Sequence, residues 1–322
     1  MVRVAINGFG RIGRAFYRIA SERNDLEIIA INDLGEKENL SYLLKYDSVY
    51  GQFETTRFKD AKWLQEKEPT KLPWKDLSID VVVESTGIFT DYEKAKVHID
   101  AGARHVVISA PAKGDSALGA TVLMGLNEEK LKSNAITSNA SCTTNAASPV
   151  IAILDATVGI EKALLNTTHA YTATQAIVDG PTKKGNREGR AAAINIIPSS
   201  TGAAIAVTKA YESLAGKFDG VSLRVPVPAG SIADITFISK RDTTAEEVNT
   251  ILRAAAKDKR WEGIFDATDE ELVSSDIVGN RHAAIADLTM TRVVGGNLVK
   301  VLTWYDNEMG YANTLVRHVL SA

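Results

Sequence analysis

The stretch VRVAINGFGRIGRAFYRIASERNDLEIIAIND, residues 2–33, decides the fold. Residues 2–6 are short and β-branched, NGFGRIG follows, residues 11–22 carry apolar positions at helical spacing, and LEIIAIND is a second apolar run. Strand, glycine turn, helix and strand in that order predict a βαβ unit. Gly8, Gly10 and Gly13 form GxGxxG where the first strand gives way to the helix, so backbone amides and the helix start can approach a pyrophosphate. Alone the pattern is weak. Asp33, 20 residues beyond Gly13, strengthens it, because a carboxylate at the end of the second strand can accept hydrogen bonds from adenosine ribose hydroxyls. The same charge would repel a 2′-phosphate, so NAD is the expected cofactor. Gly35 and Gly180 leave room that keeps NADP as an alternative.

Working outward, apolar runs at 80–84 (DVVVE), 105–109 (HVVIS), 120–124 (ATVLM) and 135–138 (AITS) continue the series, with the helical segment DYEKAKVHIDAG between two of them. Continuous hydrophobicity suits parallel strands covered on both faces. After about residue 150 alternation appears in KALLNTTHAYT, GVSLRVPV, IADITFISK, AIADLTMTRVV and NLVKVLTWYD, which predicts a larger, mostly antiparallel sheet. The expected fold class is α/β: a Rossmann-type doubly wound parallel sheet, then an α+β domain. Thr244 with Glu247 three residues on predicts a capping box ahead of Val248, Ile251 and Leu252. Residues 306–322 read as an amphipathic helix, and residues 172–198 as a long basic connection of the kind that is usually functional.

With 322 residues the chain is long enough for two domains, and 45% apolar with 24% charged residues is ordinary for a globular protein. A net charge of −3 supplies no basic field for general nucleic-acid binding. No apolar run approaches the ~20 residues of a membrane-spanning helix. One cysteine cannot form an intrachain disulfide, and no leader pattern opens the chain, so a reducing, cytoplasmic location is expected.

That cysteine, Cys142, lies in SNASCTTN. An unpaired cysteine is ordinarily a small buried hydrophobe. Here AITS reads as a strand and TTNAASPV as a helix start, and a helix N-terminus stabilises a thiolate and can polarise an oxyanion. Of five histidines, His98, His105, His282 and His318 read as surface or packing residues. His169 ends a strand and opens the polar segment YTATQ. Spacing leaves open whether it meets Cys142.

The segments INGFGRIGR, AINDL, LLKYDSVYG, VVESTGIF, SNASCTTN, THAYTATQ, VDGP, IIPSSTGAA, LRVPVP and VKVLTWYDNE, in this order, resemble the phosphorylating glyceraldehyde-3-phosphate dehydrogenase family over nearly the whole chain. The resemblance implies a homotetramer, no metal, an NAD-binding domain over 1–143 completed by the C-terminal helix 306–322, and a catalytic domain over 144–305. It makes Cys142 the nucleophile and His169 the group that activates it and handles the hydroxyl proton. Asn7, Gly8, Gly10, Arg11 and Ile12 fall at the pyrophosphate turn, Asp33 at the ribose, Ser109 and Asn307 at the nicotinamide half, and Lys67 where an adenine-side arginine is common. Ser141 and Thr143 become substrate contacts, Thr172 and Arg224 the site for the substrate's phosphate, and Thr201 and Gly202 that for inorganic phosphate. Lys184, Arg187 and Arg190 are further anion-binding candidates among which the resemblance does not choose. The implied path runs from a thiohemiacetal through a thioester to 1,3-bisphosphoglycerate.

Departures from the family pattern are a shortened segment between Gly51 and Pro69, Met309 in place of the usual Trp, and Ala229–Gly230 in a turn that could alter packing against a neighbouring subunit. Alternatives are erythrose-4-phosphate dehydrogenase, against which TATQ and STGAA argue, and a non-catalytic NAD-binding scaffold, against which Cys142 and His169 argue.

Overall fold

Short runs of Val, Ile and Ala with no room for a helical period become the strands of the first unit in the computed structural model, which describes residues 1–54, 61–114, 116–182 and 185–322. Part of the shortened segment after Gly51, and Lys184, lie outside the described residues. By contact density the chain forms two compact units, 1–141 with 312–322, and 142–311.

The first unit runs β1 (Val2–Asn7), α1 (Arg11–Ala20), β2 (Leu26–Asn32), α2 (Lys37–Lys45), β3 (Tyr46–Asp47), β4 (Gly51–Gln52), β5 (Lys62–Leu64), β6 (Val81–Glu84), α3 (Tyr92–Asp100), β7 (His105–Ile108), β8 (Gly119–Thr121) and β9 (Ile136–Ser138). Seven strands pair in the order β5-β2-β1-β6-β7-β9-β8, and every ladder is parallel. The chain leaves β1 toward β2 and β5, then returns to its other side with β6. That reversal is the switch point outside which doubly wound sheets bind ligands. Ala5, Ala30, Val82, Val106, Ile108, Trp74 and Tyr92 belong to one buried cluster. The apolar run 120–124 departs from expectation: the ladder ends at Thr121, because Asn127 accepts the Leu123 N–H at 2.9 Å and donates to Thr121 O at 2.9 Å, turning the chain out of the sheet.

The second unit begins with α4 (Cys142–Asp155) and continues through β10 (Ile160–Ala170), β11 (Ile197–Ser200), α5 (Ala203–Ala210), β12 (Phe218–Val225), β13 (Ser231–Ser239), α6 (Ala245–Ala255), β14 (Phe265–Thr268), α7 (Ser274–Ile277), β15 (Ala284–Val294) and β16 (Leu298–Tyr305). The order is β11-β12-β10-β13-β16-β15-β14, with four ladders antiparallel and two parallel. The sheet is mostly antiparallel as expected, but with seven strands it equals the first in number; only its strands are longer. β13 alternates strictly between buried and half-buried positions, so one face of the sheet is covered and the other is not. α4, buried at every position from Thr143 to Leu154, packs on the sheet.

One helix expectation needs correction. The Thr244 hydroxyl accepts the Glu247 N–H at 3.1 Å, but the Glu247 carboxylate turns to Arg241 and Thr243 instead of returning to the cap, so the box is half made. The last helix, α8, spans Met309–Ser321, and Asp306 caps the turn that leads into it: its carboxylate accepts the N–H groups of Glu308 and Met309 at 2.8 and 2.9 Å, and its carbonyl that of Gly310 at 3.1 Å. It is amphipathic as expected: Asn313, Arg317, Leu320 and Ser321, at i, i+4, i+7 and i+8, form its more exposed stripe, and the remaining positions are buried. No helix of the described residues is long and apolar enough to cross a membrane.

Candidate active site

A cavity of about 280 Å³ opens at the switch point of the parallel sheet. Asn7, Gly8, Gly10, Asp33 and Lys67 line it, together with Thr86 and Phe89. The glycines divide the work. A Cβ at Gly8, where φ is +95°, would lie 2.6 Å from Thr86 N, and one at Gly13 would lie 2.3 Å from Gly8 O, so both are needed for the tight turn. A Cβ at Gly10 would meet nothing within 4 Å, and α1 starts there with no side-chain cap. Its first N–H groups are therefore presented to whatever anion enters, as a dinucleotide pyrophosphate requires. The Asp33 carboxylate is held in place by the N–H groups of Phe9 and Gly35, at 2.6 and 2.8 Å. A Cβ at Gly35 would sit 3.2 Å from Asp33 Oδ1, the oxygen that accepts the Gly35 N–H.

Arg11 and Ile12 begin α1, but the Arg11 guanidinium turns to Asp47, bridging it at 3.1 and 3.3 Å. Ser109 follows β7 and gives its N–H to Glu84 O at 2.9 Å. Neither Arg11 nor Ser109 lines the cavity. Two histidines read as surface or packing residues are fully buried in this unit. His98 pairs with Glu84 at 2.9 Å, and His318 on α8 lies 2.8 Å from Thr137 Oγ1 and 3.1 Å from Asn139 Oδ1.

In the second unit, Cys142 is the first residue of α4 and His169 the penultimate residue of β10. The chain reaches α4 through Ala140, a buried non-glycine residue at φ +54°, a conformation that costs an L-residue about 1 kcal/mol and commonly marks functional turns. Sγ and Nε2 stand 3.3 Å apart. The other ring nitrogen, Nδ1, is 2.6 Å from Ala170 O and 2.9 Å from Arg224 Nη1. A carbonyl can only accept, it is the nearer group, and it also lies 3.3 Å from the same guanidinium. Nδ1 therefore carries the hydrogen, and Nε2 offers its lone pair to the thiol. Burial pushes the Cys142 thiol up, although its surface keeps some contact with solvent; the Arg224 charge and the Thr143 N–H and hydroxyl pull it down. Burial first and then the Arg224 charge push His169 down to about 3. The resting pair is neutral, with a base aimed at a thiol.

Arg224 faces His169 across the parallel β10–β12 ladder, and its Nε is buried with no hydrogen-bond partner among the described residues. Such an orphaned donor suits an anionic ligand. Thr172 donates its N–H to Gln175 and shares a hydrogen bond with Thr174 at 3.0 Å. Thr201 and Gly202 head α5, where Thr201 Oγ1 accepts the Ala203 N–H and a Cβ at Gly202 would meet nothing within 4 Å. Among the described residues, none of these three bonds directly to the thiol or the imidazole. Arg190 is paired with Asp179 at 2.9 Å. Ser141 precedes the nucleophile, half-buried, and Asn307 is buried and accepts from Ser231 at 3.0 Å.

Two residues missing from the sequence reading complete the geometry. Tyr305, fully buried with its hydroxyl pushed up by burial, joins Thr143 at 2.9 Å to Thr167 at 2.7 Å and packs its ring in a T-shaped contact with that of His169. Ser231 accepts the Ala170 N–H at 3.1 Å while donating to Asn307. Tyr305 sits in LTWYDNE, where a tyrosine ending an alternating strand offers the only sequence signal.

Comparison with known proteins gives the family. The family model described as glyceraldehyde 3-phosphate dehydrogenase, NAD binding domain, matches residues 2–92, and that described as its C-terminal domain matches residues 141–307. The chain is 49% identical to glyceraldehyde-3-phosphate dehydrogenase of Thermotoga maritima, covering 98% of this chain and 97% of that protein. Identity is 47% to the enzyme so named from Mycobacterium avium and 45% to that from Streptomyces coelicolor, each over 98% of this chain and 96% of the relative.

Proposed function

The chain belongs to the glyceraldehyde-3-phosphate dehydrogenase family, and from that premise we propose that it oxidises D-glyceraldehyde 3-phosphate to 1,3-bisphosphoglycerate, with NAD and inorganic phosphate as co-substrates. The observation that carries the chemistry is the Cys142 sulfur 3.3 Å from His169 Nε2 at the head of a buried helix.

Cys142 adds to the aldehyde carbon as its proton passes to His169 Nε2, so the S–C bond forms and the carbonyl pair moves to oxygen. The N–H groups at the start of α4 and the imidazolium stabilise that oxyanion. His169 protonates it to a thiohemiacetal and recovers the proton as the C–H pair departs, which leaves a thioester on Cys142. NAD, when bound, accepts that pair as hydride. Phosphate then attacks the thioester, the S–C bond breaks, and Cys142 leaves as thiolate. The buried unpartnered Nε of Arg224 supports a role with Thr172 in holding the substrate's phosphate, and the open helix start at Thr201–Gly202 supports delivery of the attacking phosphate. Gly10 and the uncapped start of α1 would take the pyrophosphate, and Asp33 the ribose.

The working form we propose is a cytoplasmic homotetramer. A thiol nucleophile needs a reducing compartment, and exposed Ile177, Val178, Ile194 and Ile196 in the long connection supply apolar surface for a second copy.

The test is NADH formation from glyceraldehyde 3-phosphate, NAD and phosphate, with erythrose 4-phosphate as the competing aldehyde. Turnover should need phosphate, favour the triose, and vanish on stoichiometric alkylation or in Cys142→Ser, while NAD binding persists. Substantial turnover in Cys142→Ser would sink the assignment.

A further inference from the structure

Asn32, Asn7 and Glu84 stand in one register row across β2, β1 and β6, at the edge of the parallel sheet where the cofactor cavity opens. All three are buried, yet polar. Hydrogen bonds chain them: Asn32 Nδ2 donates to Asn7 Oδ1 at 2.7 Å, and Asn7 Nδ2 donates to Glu84 Oε2 at 2.6 Å. A carboxylate taken from water must be met by donors. Four converge on Glu84, since His98 Nε2 lies 2.9 Å from Oε2, and Oε1 accepts the N–H and the hydroxyl of Thr86 at 2.9 and 2.5 Å. Behind the histidine, Trp74 Nε1 is 3.2 Å from Nδ1. An indole can only donate, so Nδ1 is the acceptor and Nε2 carries the hydrogen given to Glu84. The imidazole orients the carboxylate, and the indole orients the imidazole.

The outer ends of this row fix the loops that wall the cavity. Asn32 accepts the Glu66 N–H at 2.9 Å and donates to Glu66 O at 3.0 Å, which holds the loop carrying Lys67. Thr86 is tied to Glu84, and its neighbour Ser85 donates to Gly8 O at 2.6 Å, which holds the glycine turn. Asn7, Asn32, Glu66 and Thr86 line the cavity, whereas Glu84, His98 and Trp74 do not. A buried charged network of this kind adds little to stability compared with apolar packing, so its place under a ligand site calls for another use.

We propose that Glu84, locked by His98 and Trp74, is a positioning residue for dinucleotide binding: it holds Asn7 and Thr86 so that the loops after β1, β5 and β6 meet the cofactor already formed. This rests on the reading of the cavity as the NAD site. Glu84→Gln replaces an oxygen with a donor that faces other donors, and His98→Leu removes both links to Trp74 and Glu84. Either change should raise the Kd for NAD by calorimetry and the KM for NAD on the order of tenfold. The kcat at saturating NAD and the rate of Cys142 alkylation without NAD should stay within about twofold of the parent. His98→Gln, whose amide can donate to Glu84 and accept from Trp74, should restore parental affinity. If Glu84→Gln does not fold, the contrast between His98→Leu and His98→Gln decides. Parental affinity in His98→Leu, or losses of kcat and alkylation rate that track the loss of affinity, would overturn the proposal alone. A parent chain that binds no NAD would overturn the functional reading and this proposal with it.

Discussion

At the residue scale, the neutral thiol–imidazole pair makes reactivity depend on what opposes burial. His169 accepts the thiol proton as the sulfur attacks, so His169→Asn should slow alkylation of Cys142 near neutral pH by on the order of tenfold or more. An unchanged rate and pH profile would remove His169 from thiol activation. Arg224 lowers the thiol, so Arg224→Met should move the alkylation profile to higher pH; a profile that stays put would mean that the helix start and Thr143, without Arg224, oppose the effect of burial. Cys142 and His169 were visible in the sequence as candidates, but their meeting was not. They lie 27 residues apart, and the strand and helix that join them are fixed by packing, not by spacing. Tyr305 was invisible as a site residue for the same reason, because its partner Thr143 is 162 positions away. Glu84 and His98 read as a strand end and a helix face, and only the register of β1 with β6 shows them as one network.

At the element scale, what could be read was what a local period carries. β10, β13, β15 and β16 fall where alternation placed them, because one face of their sheet is buried and the other is not. What could not be read was where a side chain ends an element: Asn127 stops β8. The full burial of His318 on α8 was also hidden, because a histidine near the C-terminus reads as a surface or packing residue. That burial has a pH consequence. His318 is fully buried, and desolvation pushes it down to about 3, while an unfolded histidine takes its proton near 6.5. Between those values the unfolded chain binds the extra proton, so stability is complete above about pH 6.5 and falls as the pH drops through that window. At pH 5 the contribution is a loss of roughly 2 kcal/mol. Urea unfolding at pH 7.5 and 5.0 should show the parent losing about that much more than His318→Gln. Equal losses in the two proteins would place the acid sensitivity elsewhere.

At the scale of the whole molecule, the order of elements and the parallel-then-antiparallel plan were legible, because a fully covered sheet and a half-covered sheet leave different hydropathy patterns. The half-covered sheet has a further consequence. Leu164 on β10 and Val221 on β12 are 66% and 56% exposed, although both are large and apolar. Leu164, Ile205, Phe218, Ile238 and Leu298 line one open apolar cavity of about 860 Å³. Apolar surface gathered in one place on a sheet face is normally covered in the working form, and a second copy would meet it symmetrically. Each leucine buried in such a contact contributes about 1.5–3 kcal/mol, whereas a lysine left unpaired there would cost several kcal/mol, twice over at a two-fold contact. Because Leu164 is exposed within its own subunit, Leu164→Lys should leave the subunit's far-ultraviolet spectrum and NAD affinity close to those of the parent. Its mass by sedimentation equilibrium should fall from that of the proposed assembly to that of a smaller species. A variant that keeps the parental mass would show that this face stays uncovered, and would leave the exposed isoleucines of the long connection as the surface available to the proposed assembly.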